Sequence, residues 1–498
     1  MNQSSPATAP AAAPRIIGRA DHNISRSNLS ANALRVLYRL KDAGYQAFLV
    51  GGCVRDVMLG RHPKDFDVAT NALPDEVRAL FRNCRLVGRR FRLAHVIFGR
   101  EVIEVATFRA ASAPSPSEEP VEESAEEVAD ELSDATLLDD EEGGRDEPEP
   151  EETQRGGLEG VDHERVLDTH GRLLRDNVYG DIEEDVWRRD FTANALYYNI
   201  ADFSLWDFVG GAEDIAARRL RLIGEPERRY REDPVRMLRA ARFEAKLDFV
   251  LEAATAAPIG TLKGLLAGVP PARLFDETQK LFLTGHGERS LAVLRKHALL
   301  GVLFPAVERY LREHPGGLVE QLLRAGLRNT DARVAAGKPV APTFLFALLL
   351  YGPIAALIES LPPQRWHELG AIVGACERAV REAGARVSIP RRIALGVREM
   401  YGLQPRLEQP RGRRALRLLE QPRFRAAFDL LALRSQFGLA SAQTSQWWTR
   451  LQEIGPEQRI EQIDSLTAGA GPEPRAPAAA AGTGSGAHRP RRRRRRRS

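Results

Sequence analysis

The chain has 498 residues, more than a single hydrophobic core usually organises, so two or more domains with flanking tails are expected. Apolar residues make up 43% of the chain. No segment has about 18 consecutive apolar residues, so no membrane span is expected. The opening residues lack the apolar region of a secretory signal. Cys53, Cys84 and Cys376 lack metal-like spacing, which favours reduced thiols in the cytoplasm over a zinc or redox site.

The formal net charge of +4 conceals a strong segregation of charge. Residues 118–152 contain 18 acidic residues and one basic residue, so a net charge of −17 there leaves +21 on the remainder. A chain this basic outside one acidic block predicts a polyanionic partner, with nucleic acid as the leading candidate. The acidic, aromatic-poor residues 111–162 are predicted to be a disordered insert. A solvated spacer is favoured there over a mimic of RNA that competes for a basic channel.

The first predicted elements precede a glycine turn. Residues 1–24 begin with an Ala/Pro/Ser-rich stretch and are expected to be a disordered tail. Ser30 is suited to cap a helix over residues 31–42, and Gly44 is placed to end it. The apolar residues 48–50 then predict a buried strand.

The turn itself is Gly51-Gly52, which permits a close backbone approach to a ligand. A short helix over residues 53–59, which carries Arg55, would point its free N-terminal amides at the same place. Such a site favours phosphate. Gly51, Gly52 and Arg55 are therefore candidate nucleotide-binding residues.

A second predicted strand, residues 65–69, places Asp65 and Asp67 on one face and Phe66 on the other. Neighbouring carboxylates repel one another, a divalent cation relieves the repulsion, and all-oxygen ligands suit Mg²⁺. A phosphate-holding turn followed by metal-holding aspartates is what nucleotidyl transfer requires. A surface strand with two solvated aspartates is less favoured because the turn, the helix start and Arg55 belong to the same unit.

Glu104 lies in an otherwise apolar strand. Residues 94–98 and 102–108 predict a hairpin that turns at residues 99–100. Glu104 is either a third metal-site carboxylate or the partner of an arginine such as Arg109, and the sequence favours neither alternative.

Beyond residue 212 the pattern is helical almost throughout. Glu232, Asp233 and Pro234 are predicted to open a helix. Four charged residues recur every three positions and are predicted to form one ridge along that helix: Asp233, Arg236, Arg239 and Arg242. An aspartate accepts from adenine N6 and an arginine donates to N1, so Asp233 and Arg236 are a candidate base-reading pair, with an intrahelical ion pair as the alternative. Cytosine offers the same donor–acceptor order, so the pair permits both bases.

The C-terminal region is dense in arginine. Residues 391–434 also carry Tyr401, Phe424 and Phe428, and this composition suits phosphate contacts and base stacking with single-stranded RNA. Residues 465–498 are predicted to be a disordered tail whose seven consecutive arginines, residues 491–497, would bind RNA phosphates. Peripheral contact with an anionic membrane surface is the alternative.

The motifs GGCVRD and KDFDVATNA resemble those of the polymerase-beta-type nucleotidyltransferases. They are most similar to the branch that contains bacterial poly(A) polymerases and bacterial-type tRNA CCA-adding enzymes. The resemblance implies an α+β fold with a mixed-sheet head (residues 25–211), a helical neck (212–285) and a helical RNA-binding body (286–464).

The resemblance also implies roles for later motifs. In RRDFTAN, on an apparent helix start, Arg189 and Asp190 would meet the ribose and support catalysis, with Asn194 beside them. Asp190 therefore joins Asp65 and Asp67 as a predicted catalytic residue. The family places base recognition in an EDxxR motif, which is Glu232 to Arg236 in this chain. Arg239 and Arg242 would face the triphosphate. LVGRRFRLAHV (residues 86–96) resembles the signature that separates poly(A) polymerases from CCA-adding enzymes.

We therefore expect template-independent transfer of AMP from ATP to RNA 3′-hydroxyls, with release of pyrophosphate, in mRNA processing and RNA decay. Two Mg²⁺ ions held by Asp65 and Asp67 are expected, with Mn²⁺ as the alternative. The protein is expected to be a cytoplasmic monomer that contacts RNA-decay proteins. The alternatives are a CCA-adding enzyme, which would use CTP on tRNA lacking its end, and a catalytically inactive RNA-binding relative.

Overall fold

A computed structural model describes residues 13–88, 92–110, 165–167, 173–176, 178–410 and 412–469. The predicted acidic insert and the seven-arginine run lie outside the described residues, as do residues 89–91 of the LVGRRFRLAHV motif.

The N-terminal half of the described chain is built on a mixed sheet of eight strands. In chain order its strands are β1 (Arg15–Ile17), β2 (Ala47–Val50), β3 (Asp67–Thr70), β4 (Cys84–Val87), β5 (Leu93–Phe98), β6 (Glu101–Thr107), β9 (Leu196–Asn199) and β10 (Leu205–Asp207). They are arranged in the order β1-β10-β9-β2-β3-β6-β5-β4, and β3 and β6 run parallel while the other neighbours are antiparallel. Two further strands, β7 (Arg165–Leu167) and β8 (Leu173–Asp176), form a separate antiparallel pair.

Both faces of the central strands are covered, which explains their continuous apolar sequence. Leu49 and Val68 belong to the main core, where the buried side of helix α1 (Ala31–Asp42) also lies. Phe48 and Val50 point to a smaller core on the opposite face, together with Tyr197. The other helices of this half are α2 (Gly52–Met58), α3 (Pro74–Leu80) and α4 (Ile182–Arg188).

Local signals in the first half are confirmed where a cap or turn defines them. The Ser30 side chain accepts hydrogen bonds from the backbone N–H groups of Asn32 (3.1 Å) and Ala33 (3.2 Å), which caps α1. Gly44 has a φ of 90°, as expected of a glycine that ends a helix. The hairpin of β5 and β6 turns at Gly99, which has a φ of 62°.

Two predicted boundaries in this half are wrong. The N-terminal tail was predicted to extend to residue 24, but residues 15–17 form β1, which pairs with β10, and Ile24 is fully buried. The strand predicted over residues 65–69 begins only at Asp67, because the partners in β2 start pairing there. Asp65 lies in the preceding loop.

The rest of the described chain is mainly helical. Its helices are α5 (Gly211–Ala216), α6 (Pro226–Glu232), α7 (Val235–Leu247), α8 (Ala253–Ala256), α9 (Ile259–Leu262), α10 (Pro271–Phe282), α11 (Gly287–Lys296), α12 (Leu300–Leu303), α13 (Pro305–Glu313), α14 (Leu318–Ala335), α15 (Pro342–Leu349), α16 (Tyr351–Glu359), α17 (Leu369–Gly384), α18 (Arg391–Glu408), α19 (Arg414–Leu419), α20 (Phe424–Gln436), α21 (Ala442–Glu453) and α22 (Pro456–Gly469). A two-stranded parallel pair, β11 (Arg219–Leu220) and β12 (Val250–Leu251), interrupts them. The helix α22 runs four residues past the predicted start of the C-terminal tail at 465.

The aromatic residues expected to stack on RNA are instead part of the core. Tyr401, Phe424 and Phe428 are buried, as is Trp448. The Tyr401 hydroxyl donates to the carbonyl of Ala347 (2.9 Å), and the Trp448 indole N–H donates to the carbonyl of Leu407 (2.8 Å). The stacking prediction is therefore wrong for Tyr401, Phe424 and Phe428, because these side chains pack inside the helical core.

One helix pair in this half is strongly apolar. In the part of the chain that the structure describes, no single helix has both the length and the apolar character of a membrane span. The pair α15–α16, bent by 44°, meets that criterion only when its two helices are taken together.

Candidate active site

The glycine turn lies against the carboxylate of Asp67. Gly51 has φ 80° and ψ −139°, a backbone conformation that favours glycine. A Cβ at Gly51 would come within 3.4 Å of Asp67 Oδ2 and 3.8 Å of Arg189 Nη1. The turn therefore brings the backbone close to both a carboxylate and a guanidinium.

The two aspartates of the DFD motif occupy different environments. Asp65 is exposed in the loop, Phe66 is buried, and Asp67 opens β3 directly beside Glu104 of the parallel strand β6. The pKa of Asp67 is raised to about 6, chiefly by burial and also by Glu104 and Asp65, while Arg189 acts to lower it. A site that disfavours the charged form of its carboxylate is one that a cation would stabilise.

Glu104 has neighbours that fit both of its alternatives. Its strand register places it beside Asp67 and opposite His95, whose Nε2 lies 3.8 Å from Glu104 Oε2. Burial raises the pKa of Glu104, Arg109 lowers it and Asp65 raises it. Within the described residues, no three acidic, histidine or cysteine side chains are arranged as a metal-binding group. The role of Asp65 and Asp67 as metal ligands stays a prediction, and both roles of Glu104 are left open.

Arg189 is held in place by a buried network. Helix α4 ends at Arg188, and Arg189 is the next residue. The Arg189 guanidinium donates from Nη2 to Asp185 Oδ2 (3.0 Å) and from Nε to the Tyr197 hydroxyl (2.8 Å). Tyr197 itself donates to Asp185 Oδ2 (2.6 Å). Burial alone would lower the pKa of Arg189, but Tyr197 and Asp185 raise it above its usual value. Arg189 is thus a fixed positive charge.

Asp190 and Asn194 are brought together, but not by the helix start that the sequence predicted. That prediction is wrong: the segment follows the end of α4 and makes only a 3₁₀ turn, Thr192–Asn194, before β9. Asp190 Oδ1 accepts from the Phe191 N–H (2.7 Å) and from Asn194 Nδ2 (3.1 Å). Asp190 Oδ2 accepts from both Nε (2.8 Å) and Nη2 (2.5 Å) of Arg239.

These contacts keep Asp190 ionised. Burial would raise the pKa of Asp190, but Arg239, Asn194 and the Phe191 N–H together lower it below its usual value. Since both of its oxygens accept hydrogen bonds, the geometry favours a residue that orients Arg239 and Asn194. Its predicted catalytic role stays a prediction.

Arg55 is almost completely buried, with 2% of its surface exposed. Its Nε (2.9 Å) and Nη2 (2.8 Å) donate to Asp56 Oδ1, and its Nη1 donates to Asn194 Oδ1. The side chain therefore connects the glycine turn to the Asp190–Asn194 pair.

The EDxxR motif spans two helices rather than opening one, which corrects the predicted helix start. Glu232 is the last residue of α6, and Asp233 Oδ1 accepts from the Val235 N–H (3.1 Å) at the start of α7. Asp233 Oδ2 accepts from Arg273 Nη2 (2.7 Å), while Arg236 Nη1 donates to Glu232 Oε2 (3.1 Å). Asp233 thus pairs with Arg273, and the ion pair within the motif forms between Glu232 and Arg236 rather than between Asp233 and Arg236.

Part of this set of residues lines one cavity of about 610 Å³. Its wall comprises Gly51, Gly52, Arg55, Asp67, Arg188, Arg189, Asp190, Asn194, Asp233, Arg236, Arg239, Phe243, Lys246, Arg273, Asp276, Glu277 and Lys280. Eight of these side chains are basic and five are acidic, a balance that suits a polyanionic ligand. The predicted residues Asp65 and Arg242 are not part of this wall, and Arg242 Nε lies 3.3 Å from Glu277 Oε2.

The sequence predictions missed one side of the cavity. Phe243 and Lys246 continue the cavity face of α7 with helical spacing, so the periodicity that gave the ridge could have included them. Arg273, Glu277 and Lys280 share one face of α10. No local signal marks that face, because it belongs to the site only through the packing of α10 beside α7.

Comparison with known proteins agrees with this architecture. The model of the "Poly A polymerase head domain" matches residues 47–221, the "Probable RNA and SrmB- binding site of polymerase A" residues 248–311, and the "Polymerase A arginine-rich C-terminus" residues 364–498. Among solved structures, an apo form of a tRNA-processing enzyme is similar, with a TM-score of 0.53 at 20% identity over 89% of this chain and 98% of that chain. That likeness supports the fold.

Curated relatives separate the two branches considered above. Poly(A) polymerase I of Salmonella typhi is 44% identical over 456 residues, which cover 91% of this chain and 88% of the relative. A CCA-adding enzyme of Bacillus pumilus is 33% identical over 263 residues, or 53% of this chain and 52% of the relative. The predicted resemblance and the predicted α+β fold class are confirmed. The chain belongs to the bacterial poly(A) polymerase I family, nucleotidyltransferases that add AMP to RNA 3′ ends without a template.

Proposed function

We propose that the cavity is where ATP and the RNA 3′-hydroxyl meet, with the residue roles given below. One observation supports this most directly. Arg236 of α7 is far in sequence from Gly51 of the glycine turn and from Asp67 of β3, yet all three residues line the same cavity. A phosphate-binding turn, a carboxylate and base-reading donors are the parts that nucleotidyl transfer needs.

Asp65 and Asp67 are the proposed ligands of Mg²⁺. Their hard carboxylate oxygens suit this ion, and the raised pKa of Asp67 agrees with a site that is stabilised when a cation is bound. Two bound ions would supply activation of the 3′-hydroxyl and charge neutralisation on the leaving pyrophosphate. Glu104 is a third donor or the partner of Arg109.

The arginines of the cavity would hold the triphosphate. Arg55, Arg189 and Arg239 are each fixed by carboxylate partners, so they would bind phosphate oxygens with little reorganisation. In the reaction the RNA 3′-hydroxyl releases its proton to solvent and its oxygen forms a bond to the α-phosphorus of ATP. The bond from that phosphorus to the oxygen that bridges to the β-phosphate breaks, and pyrophosphate leaves. These side chains orient the phosphate chain for that displacement.

Base selection is proposed to depend on Arg236 with support from Asp233. Arg236 would donate to adenine N1, and Asp233 would accept from N6. Asp233 Oδ2 already accepts from Arg273, so the position of this carboxylate is set before a nucleotide binds. A fixed pair recognises the donor–acceptor order that adenine and cytosine share, and the likeness to Poly(A) polymerase I makes ATP the proposed substrate.

The second substrate is proposed to be single-stranded RNA, held by phosphate contacts of the arginine-rich body. A monomer that acts in the cytoplasm and contacts RNA-decay proteins is the proposed setting, in agreement with the free cysteines Cys53, Cys84 and Cys376.

Nucleotide incorporation by the purified protein tests the proposal. ATP, CTP, GTP and UTP would each be supplied with Mg²⁺ to an oligo(A) primer and to tRNA trimmed of its end. Long ladders with ATP on oligo(A) are expected. Short additions of C and A confined to tRNA would contradict the proposal and assign the CCA-adding activity instead, and no incorporation of any nucleotide would indicate an inactive RNA-binding relative.

A further inference from the structure

Phe243 is an aromatic side chain with three arginines around it, of which Arg55 and Arg239 line the cavity. It lies on α7, is 6% exposed and lines the cavity. The guanidinium carbons lie 4.5 Å (Arg242), 5.5 Å (Arg55) and 5.6 Å (Arg239) from its ring centroid. All three distances fall within the range of cation–π attraction, which is about 6 Å.

Each of the three guanidiniums also has a carboxylate partner. Arg55 pairs with Asp56, Arg239 with Asp190, and Arg242 with Glu277. These partners come from α2, from the segment after α4 and from α10. The ring is therefore the common contact of three ion pairs that belong to separate parts of the fold.

The ring is itself fixed from the side of the head. Phe191 packs against Phe243 edge to face, with 5.5 Å between centroids and an interplanar angle of 77°. The backbone N–H of Phe191 donates to Asp190, the partner of Arg239. A movement of the Phe243 ring would thus disturb both the Arg239 guanidinium and the Asp190 carboxylate.

Three like charges around one point repel one another, and burial strengthens that repulsion. The negative π faces of a benzene ring offset it without supplying a carboxylate that would repel phosphate. An aliphatic side chain of similar size would fill the space but provide no such attraction.

We propose that Phe243 is a positioning residue for triphosphate binding, which holds the guanidiniums of Arg55 and Arg239 in place for the phosphate chain. Phe243 acts through these arginines and needs no contact with the nucleotide. The inference rests on the proposed function, because it requires the triphosphate of ATP to bind in this cavity.

The test replaces Phe243 with phenylalanines that carry one, three and five fluorine atoms. Fluorination withdraws electron density from the ring faces and changes the shape of the side chain little. The KM for ATP is expected to rise stepwise, by about tenfold across the series, with a smaller change in kcat and an unchanged melting temperature. Equilibrium binding of ATP should follow the same trend.

The same series at Phe304 is the matched control. Phe304 is buried in the helical part of the chain, and its ring centroid lies 6.3 Å from that of Phe346. Its fluorination should therefore leave the KM for ATP unchanged. Phe243→Leu should raise the KM at least as far as the pentafluoro variant.

The outcomes separate this inference from the proposed function. If the unsubstituted protein polyadenylates RNA but its KM for ATP stays flat across the Phe243 series, the ring only fills space and the positioning role is overturned. If Phe243→Leu binds ATP as the unsubstituted protein does, the role is likewise overturned. If the unsubstituted protein binds no ATP, the proposed function fails and this inference fails with it.

Discussion

Asp65 and Asp67 occupy unequal positions around the proposed metal site. Asp65 is exposed, whereas Asp67 is partly buried between Glu104 and the glycine turn. Because the pKa of Asp67 is raised to about 6, protons compete with a cation for this carboxylate below that pH. In this view Asp67 sets the pH range of metal binding and Asp65 completes the ligand set.

The first prediction concerns these two carboxylates. Asp65→Ala and Asp67→Ala should each abolish AMP incorporation, because the remaining carboxylate cannot hold two cations alone. RNA binding, measured by filter retention, should stay close to that of the unsubstituted protein. Asp42→Ala, at the exposed end of α1, is a control that should retain activity. Near-normal turnover in both site variants would rule out the metal assignment.

Arg236 carries the second prediction at this scale. Arg236→Ala should raise the KM for ATP by about tenfold, since a charge-assisted hydrogen bond to the base is lost. The ratio of ATP to GTP incorporation should fall at the same time. Arg231→Ala, an exposed arginine of α6 that pairs with Glu227, is the control. An unchanged ATP/GTP ratio in Arg236→Ala would show that another residue reads the base.

At the scale of elements, α7 decides the geometry of the site because it carries Arg236, Arg239 and Phe243. It is fixed to α11 by a cluster of three ionisable side chains. Glu244, which is 8% exposed, accepts from Lys296 Nζ (2.7 Å) and contacts His297 Nε2 (2.7 Å). Burial would raise the pKa of Glu244, but His297 and Lys296 lower it below its usual value.

Glu244→Gln should therefore destabilise the protein at neutral pH, by about 2 kcal/mol. A carboxylate whose folded-state pKa is lowered contributes stability above its unfolded-state pKa, and that contribution is lost as the pH falls through the folded-state value. The free energies of unfolding of the variant and the unsubstituted protein should consequently converge below about pH 4. Urea denaturation at a series of pH values measures this, and a constant difference at every pH would contradict it.

At the scale of the whole molecule, charge is separated along the chain. The described cavity is surrounded by basic side chains, and the seven arginines 491–497 lie outside the described residues. Deleting residues 489–498 should weaken RNA binding and flatten its dependence on salt, because fewer counterions are released from the RNA. A complete chain in which lysines replace the seven arginines should keep the salt dependence of the unsubstituted protein. Identical salt slopes for the deleted and complete proteins would leave the tail without a role in RNA binding.

Local signals predicted much of the fold. The helix cap at Ser30, the helix end at Gly44 and the hairpin turn at Gly99 each depend on only a few neighbouring residues. The structure confirms all three predictions. The predicted helix start at Arg189–Asn194 is wrong because the side chain of Asp190 bonds to the backbone of Phe191 and to Arg239, a residue 49 positions away. A distant partner overrode the local spacing.

The sequence by itself determined the chemical components of this protein: the Gly51-Gly52 turn, Asp67 at the start of β3, and Arg236 and Arg239 at a spacing of three on α7. Each depends on backbone conformation or spacing within one element, which is a short-range property. Only the tertiary structure decided that Arg242 pairs with Glu277 and that Lys280 lines the cavity. These contacts depend on how α7, α10 and the head pack together, and no local periodicity encodes that packing.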